Sequence, residues 1–342
     1  MMGNINHGDD SALETLVMSL RDQEPPSSAL FIGAMPHEAF KAWRYLIGWQ
    51  PHRAHATAWE NAGFKRVDHL PEKKFSCVMV LPGKSKEATF ASFANAIDRL
   101  EIGGQLIVAM TNAAGASRYE KEIAKVMGQV QSFQKNKCRA FSVRLGAEVR
   151  RDIIDDWRLG NVVREIDGFL VLPGIFSSKQ IDAGSRALVS HFPAGLRGTA
   201  ADIGAGWGYL SHSLLERCSQ ISKVDLFEVD ATALECAHIN LTNFSRRVSF
   251  HWHDVCEGLP ANQYDVVMIN PPFHAGQALD LSLGRRMIEQ SIQTLKPGGT
   301  WFAVANRQLP YEKWLDHCGM PARKLSEDGT YKCFTGIKPL TR

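Results

Sequence analysis

The sequence predicts an α/β protein of two tandem domains, each a doubly wound, mostly parallel sheet, with the N-terminal copy degenerate. Three observations carry that reading. The 342 residues exceed what a single hydrophobic core usually organises, at roughly 150 residues per domain. A faint internal repeat runs through both halves in one order. Strand-like and helix-like segments alternate through the second half, the pattern of a parallel sheet covered on both faces.

The repeat begins with "LFIGA" at 30–34 against "ADIGA" at 201–205 and continues with "FSCVMVLPG" at 75–83 against "YDVVMINPP" at 264–272. It ends with "LEIGGQLIVAM" at 100–110 against "LKPGGTWFAVA" at 295–305, each a helix end, a Gly-Gly turn and an apolar strand. A Lys-Cys pair follows in both copies, with Cys138 and Cys333 each 34 residues beyond Gly104 and Gly299. We expect domains at 1–160 and 161–342. In the second copy the expected order is strand "GTAADIG", helix "YLSHSLLERC", strand "KVDLFEVD", helix "ATALECAHINLTNF" and strand "RVSFHWHD". Strand "YDVVMIN", helix "LGRRMIEQSIQTL" and strand "GTWFAVAN" complete it. Ligands of such sheets bind beyond the carboxyl ends of the strands, so the chemistry is sought there.

Composition narrows the class. Apolar residues at 44% and charged residues at 22% are globular values, with no low-complexity tract. The start "MMGNINHGDD" has neither a basic nor an apolar leader region, and no apolar run approaches a membrane span; a cytoplasmic location and no membrane partner are expected. Seven cysteines without a C-x-x-C pair suggest reduced thiols, neither a zinc site nor a disulfide framework. A net charge of +3 gives no basic half, and a monomer without metal is expected.

The first strand of the second copy ends in "DIGAGWGYL". Gly204, Gly206 and Gly208 let the backbone turn tightly and approach a ligand, while the following helix directs its amides toward it. The spacing G-x-G-x-G is not the dinucleotide G-x-G-x-x-G. Asp202 ahead of it would repel a pyrophosphate but accepts from a cationic or amino-bearing ligand. Glu228, ending "FEVD", is placed to bind the two hydroxyls of a ribose, with Asp230 as rival; for either, a helix N-terminal acid is the structural alternative. Asp254, ending "HWHD", is placed to accept from an exocyclic purine amine, or is a turn acid.

With these residues the chain resembles the class I methyltransferases that use S-adenosylmethionine, in which D-x-G-x-G-x-G, the acids after strands two and three, and N-P-P-F come in this order. The resemblance spans roughly 165–342 and implies a Rossmann-like methyltransferase domain. "NPPFHAG" with "LPGIFSSKQIDAGSRALV" upstream is similar, more narrowly, to the small-subunit ribosomal RNA guanine-N2 methyltransferases, whose tandem arrangement has a degenerate N-terminal copy. Glutamate at 228, where many relatives carry aspartate, keeps the carboxylate. The resemblance implies cofactor-side roles for Phe176 and Asp182, with Ser185 beside them; Phe176 reads equally well as core.

The "NPPF" corner then has a physical reading. A sulfonium methyl is already activated, so placing an amine lone pair in line with it is the main task. The lone pair of an exocyclic guanine amine is delocalised into the ring. Asn270, through its side-chain carbonyl, and the carbonyl of Pro271 are candidate acceptors that favour a more pyramidal nitrogen. Pro271 and Pro272 hold them still, and Phe273 offers a stacking face for a base taken out of its helix. His274 reads as a loop residue shaping the substrate side rather than as a base. Arg285 and Arg286, on the following helix, are candidates for substrate phosphate.

The first copy lacks this equipment. "LFIGAMPHEAF" retains one glycine and no acid before it, and "VMVLPGK" has leucine and one proline where "NPPF" should stand, so donor binding is not expected there. Its role is RNA recognition or structural support. Lys135, Lys137, Arg139, Arg144, Arg150 and Arg151, with Glu148 the one acid among them, form a strip suited to backbone phosphates. A solvated face or a linker is the plainer account. Three classes of function follow: methyl transfer to guanine N2 in small-subunit (16S) ribosomal RNA; transfer to adenine N6 or to glutamine N5 of a protein, which N-P-P-[FY] also serves; and a non-catalytic RNA-binding assembly factor, which donor titration would separate from the enzymes.

Overall fold

A computed structural model describes residues 7–272, 281–309, 311–317, 320 and 322–340. The chain divides into two units, Met1–Val163 and Arg164–Arg342. In the first, helix α1 (His7–Ser19) precedes strands β1 (Ala29–Ile32), β2 (Leu46–Trp49), β3 (Lys65–Val67) and β4 (Phe75–Val80), with β5 (Leu100–Thr111), β6 (Gln131–Lys135) and β7 (Cys138–Arg144) after them. Helices α2 (Arg53–Asn61), α3 (Lys86–Ile97) and α4 (Ala116–Met127) are the crossovers, and α5 (Arg151–Arg158) follows. The strand order is β3-β2-β1-β4-β5-β7-β6. The first five strands are parallel and the β6–β7 hairpin is antiparallel.

The second unit opens with a two-stranded hairpin, β8 (Arg164–Ile166) and β9 (Phe169–Val171), and helix α6 (Ala183–Ser190). Its sheet comprises β10 (Gly198–Ile203), β11 (Ile221–Glu228), β12 (Val248–Trp252), β13 (Tyr264–Ile269), β14 (Leu295–Asn306), β15 (Ala322–Glu327) and β16 (Tyr331–Ile337). Helices α7 (Tyr209–Arg217), α8 (Ala231–Asn240), α9 (Leu281–Thr294) and α10 (Tyr311–His317) complete it. The order β12-β11-β10-β13-β14-β16-β15 repeats the first sheet strand for strand. The tandem Rossmann-like architecture read from the sequence is therefore present, with an antiparallel hairpin at one edge of each sheet that the alternation had not revealed.

Local chemistry explains the elements. Ala200 to Ile203 are wholly buried, as befits a central parallel strand with helices on both faces. In α4 the buried residues Ala116, Tyr119, Ile123, Val126 and Met127 fall at helical spacing on one side. Ser85 caps α3 by accepting from the amide of Ala88. Each fully buried leucine, such as Leu214, contributes on the order of 2 kcal/mol through its burial.

One part of the repeat needs correction. Cys138 and Cys333 sit on matching strands and both are buried, but Cys138 pairs with Thr111 while Cys333 pairs with Val304. Since Gln105 and Thr300 match at the start of the ladders, facing Arg144 and Ile337, the two cysteines are displaced by two residues. A two-residue slip keeps both on the same face of the sheet, so a buried cysteine suits either place.

Candidate functional site

The site lies at the carboxyl end of β10. The turn after Ile203 puts Gly204 at φ 70°, Gly206 at 55° and Gly208 at 90°, a left-handed run that a side chain would strain. A Cβ built on Gly206 meets nothing within 4 Å, so the turn faces open space there. Trp207, between the glycines, is buried; its indole donates to the carbonyl of Phe176 at 3.1 Å. Asn240 of α8 ties the carbonyls of Leu170 and Trp207 together through Nδ2. Turn, hairpin and the loop carrying Phe176 are thereby joined.

Phe176, Asp182, Ser185, Gly204, Gly206 and Asn270 line one cleft, together with Ser177, Ala205, Trp207, Tyr209 and Leu210. The resemblance had drawn two of these from far upstream. Phe176 is 61% exposed, so its ring is not core.

The acids are placed differently. Asp202 is fully buried; its Oδ2 accepts from the amide and hydroxyl of Ser211 in α7, at 3.1 and 2.7 Å. Oδ1 is buried with no partner among the described residues. Burial pushes this carboxyl up to about 6, against the pull of the Ser211 bonds. Glu228 accepts from Gly206 N at 2.7 Å through Oε2, and from Val229 N and Asp230 N at 2.9 Å through Oε1. Burial raises it to about 7, although those amides favour the charged form. Neither acid lines the cleft. Asp230 caps α8, accepting from Thr232 N, and Asp254 caps a short 3₁₀ turn, accepting from Cys256 N.

Asn270 follows β13, and its Nδ2 donates to Asp182 Oδ2 at 2.9 Å and to Ser185 Oγ at 2.7 Å. Its Oδ1 is buried with no partner among the described residues. A buried carbonyl without a donor is costly unless something completes it. Pro271 is buried and Pro272 exposed, while Phe273 and His274 lie outside the described residues. Arg285 in α9 is half-buried, its Nε without a partner among the described residues, and Arg286 is exposed.

In the first unit, Lys135 and Lys137 flank the β6–β7 turn and are exposed. Arg139 is ion-paired with Glu120 of α4, and Arg150 with Asp152, so the strip carries fewer free cations than the sequence suggests. Sequence reading missed Trp207, Ser211, Asn240 and Tyr331. A tryptophan inside a glycine turn was a visible signal; the others act through long-range contacts that leave no spacing pattern. Among the described residues no group of His, Cys, Asp or Glu is set to hold a metal ion, and no helix is long and apolar enough to cross a membrane.

The residues fit S-adenosylmethionine: the glycine turn faces open space at Gly206, in a cleft to which Asp182, Ser185 and Asn270 contribute polar groups. Comparison with known proteins agrees. Residues 168–335 match the methyltransferase small domain. The chain is 28% identical over 273 residues to the ribosomal RNA small subunit methyltransferase C of Shewanella pealeana, covering 77% of this chain and 78% of that one. It is 25% identical over 296 residues to the protein of the same name from Idiomarina loihiensis, covering 84% and 86%. Among solved structures, a T. thermophilus 16S rRNA N2 methyltransferase in complex with AdoMet and guanosine shares the fold, with TM-score 0.79 and 22% identity over 96% of this chain and 91% of that one.

Proposed function

We propose that this chain, a member of the ribosomal RNA small subunit methyltransferase C family whose second unit is a methyltransferase small domain, moves a methyl group from S-adenosylmethionine to the exocyclic N2 amine of a guanine in small-subunit (16S) ribosomal RNA. The observation that carries the chemistry is the buried, unpartnered Oδ1 of Asn270, at the strand end beside the glycine turn. The named relatives support guanine N2 as the acceptor.

The donor, when bound, supplies an electrophilic methyl on a positively charged sulfur. Gly204 and Gly206 give it backbone to lie against, while Glu228, holding the amide of Gly206, and Asp202, holding Ser211 of α7, brace that turn from behind. Asn270 Oδ1 accepts a hydrogen bond from the substrate amine and draws its lone pair out of conjugation; the carbonyl of Pro271 is the second acceptor. Phe273 stacks on the extruded base. The product nitrogen, once cationic, loses its proton readily, so His274 is not needed as a base. Arg285, Arg286, Lys135 and Lys137 bear on RNA phosphates, with Arg139 held by Glu120. The protein acts as a cytoplasmic monomer, without metal, on RNA in the small ribosomal subunit, and residues 1–160 support or guide the catalytic residues 161–342.

The test is methylation of small subunits and of free RNA with labelled donor, followed by nucleoside analysis. Label in N2-methylguanosine is expected. Label in N6-methyladenosine, or only in protein, contradicts the acceptor, and no donor binding at all would reduce the chain to an assembly factor.

A further inference from the structure

An amide side chain is nearly symmetric in shape but not in chemistry, and only one of its two orientations presents a carbonyl to the substrate. What fixes that choice at Asn270 lies on a segment 88 residues earlier in the chain. Asp182 Oδ2 receives Asn270 Nδ2 at 2.9 Å and Ser185 N at 2.7 Å, and Ser185 Oγ receives the same Nδ2 at 2.7 Å. A carboxylate has no proton to give. Turned over, the amide would set its oxygen against the carboxylate oxygen with nothing between them, and its NH₂ would face the substrate amine, donor against donor.

Asp182 is itself held from two sides. It caps α6 through Ser185 N, and its Oδ1 receives the hydroxyl of Tyr331, at the start of β16, at 3.4 Å. Gly184 permits this approach, since a Cβ there would lie 2.9 Å from the Tyr331 ring. The loop before α6, the end of β13 and the start of β16 thus meet on one carboxylate, beside the orphaned Oδ1 of Asn270.

We infer that Asp182 is a positioning residue, locking the Asn270 amide so that its carbonyl and not its NH₂ faces the amine to be methylated. This rests on the reading of Asn270 as the acceptor given above, and it differs from the cofactor-side role that the resemblance implies for Asp182.

The test uses the full chain, with donor Kd from calorimetry, kcat on small ribosomal subunits with labelled donor, and thermal melting. Asp182→Ala and Asp182→Ser should lower kcat by roughly 10- to 100-fold, the scale for losing an oriented hydrogen-bonding group, with donor Kd changed less than about threefold. Serine still caps α6 but is too short to hold Asn270, so its melting should stay near the parent's while its turnover falls. Asp182→Asn, whose amide oxygen can accept both bonds, should bring kcat to within about threefold of the parent. In an Asn270→Ala background, Asp182→Ala should cost less than about twofold more, because the interaction it serves is already gone.

A donor Kd raised about tenfold or more with kcat intact would assign Asp182 to the donor and overturn the inference. So would a loss in the Asn270→Ala background as large as in the parent. If the parent chain itself forms no N2-methylguanosine, the functional reading fails; if the parent works and the variants behave otherwise than stated, the inference alone fails.

Discussion

At the end of its central strand each unit turns on a left-handed glycine, Gly33 in the first and Gly204 in the second. The strand pairings make Ile32 and Ile203 equivalent, each facing the last residue of the neighbouring parallel strand, Val80 or Ile269. From that fixed point the units diverge within a few residues. Asp202 matches Phe31, which is fully buried. Asn270 matches Leu81. Glu228 matches Gln50, a near-isostere that keeps half of the bonding: Gln50 Oε1 accepts from His52 N as Glu228 Oε1 accepts from Asp230 N. At the other end Gln50 Nε2 donates to Ala34 O, where Glu228 Oε2 accepts from Gly206 N. The charge is gone while the geometry survives. Gly33 persists for another reason, since a Cβ there would lie 2.3 Å from Leu81 O. A glycine common to both units therefore marks packing in the first, and the chemistry resides in what surrounds it in the second.

The largest way to break this comparison is at its active end. Asn270→Ala should reduce turnover on the order of a hundredfold, the usual cost of one oriented transition-state partner, with donor affinity nearly intact; single-turnover assays with labelled donor check it. Unchanged turnover would make Asn270 no more catalytic than Leu81.

Gly33→Ala sharpens the structural end. It should destabilise the protein by about 1–3 kcal/mol, from positive φ and contact with backbone, yet leave donor affinity unaltered. Denaturant melts with calorimetry of the remaining folded protein decide. A loss of donor binding without loss of stability would give the first unit a site.

The Glu228–Gln50 difference is testable by pH. Because the folded Glu228 carboxyl is raised to about 7 by burial, the unfolded chain ionises it first, and its contribution to stability falls as pH rises from the ordinary carboxylate range through about 7. On the proposed role of Glu228, whose ionised form is the better acceptor for the Gly206 amide of the donor turn, affinity should rise with pH and level off above about 7, by up to about tenfold per unit below it. Glu228→Gln, which copies Gln50, should flatten that slope; a slope retained in the variant would point to another group.

The smallest effect belongs to the hairpin tip. Lys135→Ala and Lys137→Ala should each lower RNA affinity modestly and reduce the salt slope by about one ion, while Arg139→Ala, already paired to Glu120, should act mainly on stability. Filter binding at several salt concentrations separates them.

Much of this was legible in the sequence because it is local. The glycine turn, the acids at strand ends and the N-P-P corner follow each other at readable spacings, and the alternation of strands and helices pointed to a parallel, doubly wound sheet. What was not legible depends on contacts between distant segments. Asp182 reaches Asn270 and Tyr331 from far earlier in the unit, and Glu120 of α4 pairs with Arg139 of β7, with β6 between them in the chain. The closing hairpin β15–β16 lacks the clean alternation that would betray it, "ARKLSE" being exposed or half-buried throughout. Counting charges along the chain overstated the basic strip for the same reason.

The central claim, that one of two like scaffolds kept the equipment for the donor, is tested most directly by calorimetry of S-adenosylmethionine against the full chain. One site per chain is expected, abolished by Glu228→Ala and untouched by Gln50→Ala. Two sites, or a single site lost with Gln50 and retained without Glu228, would contradict it.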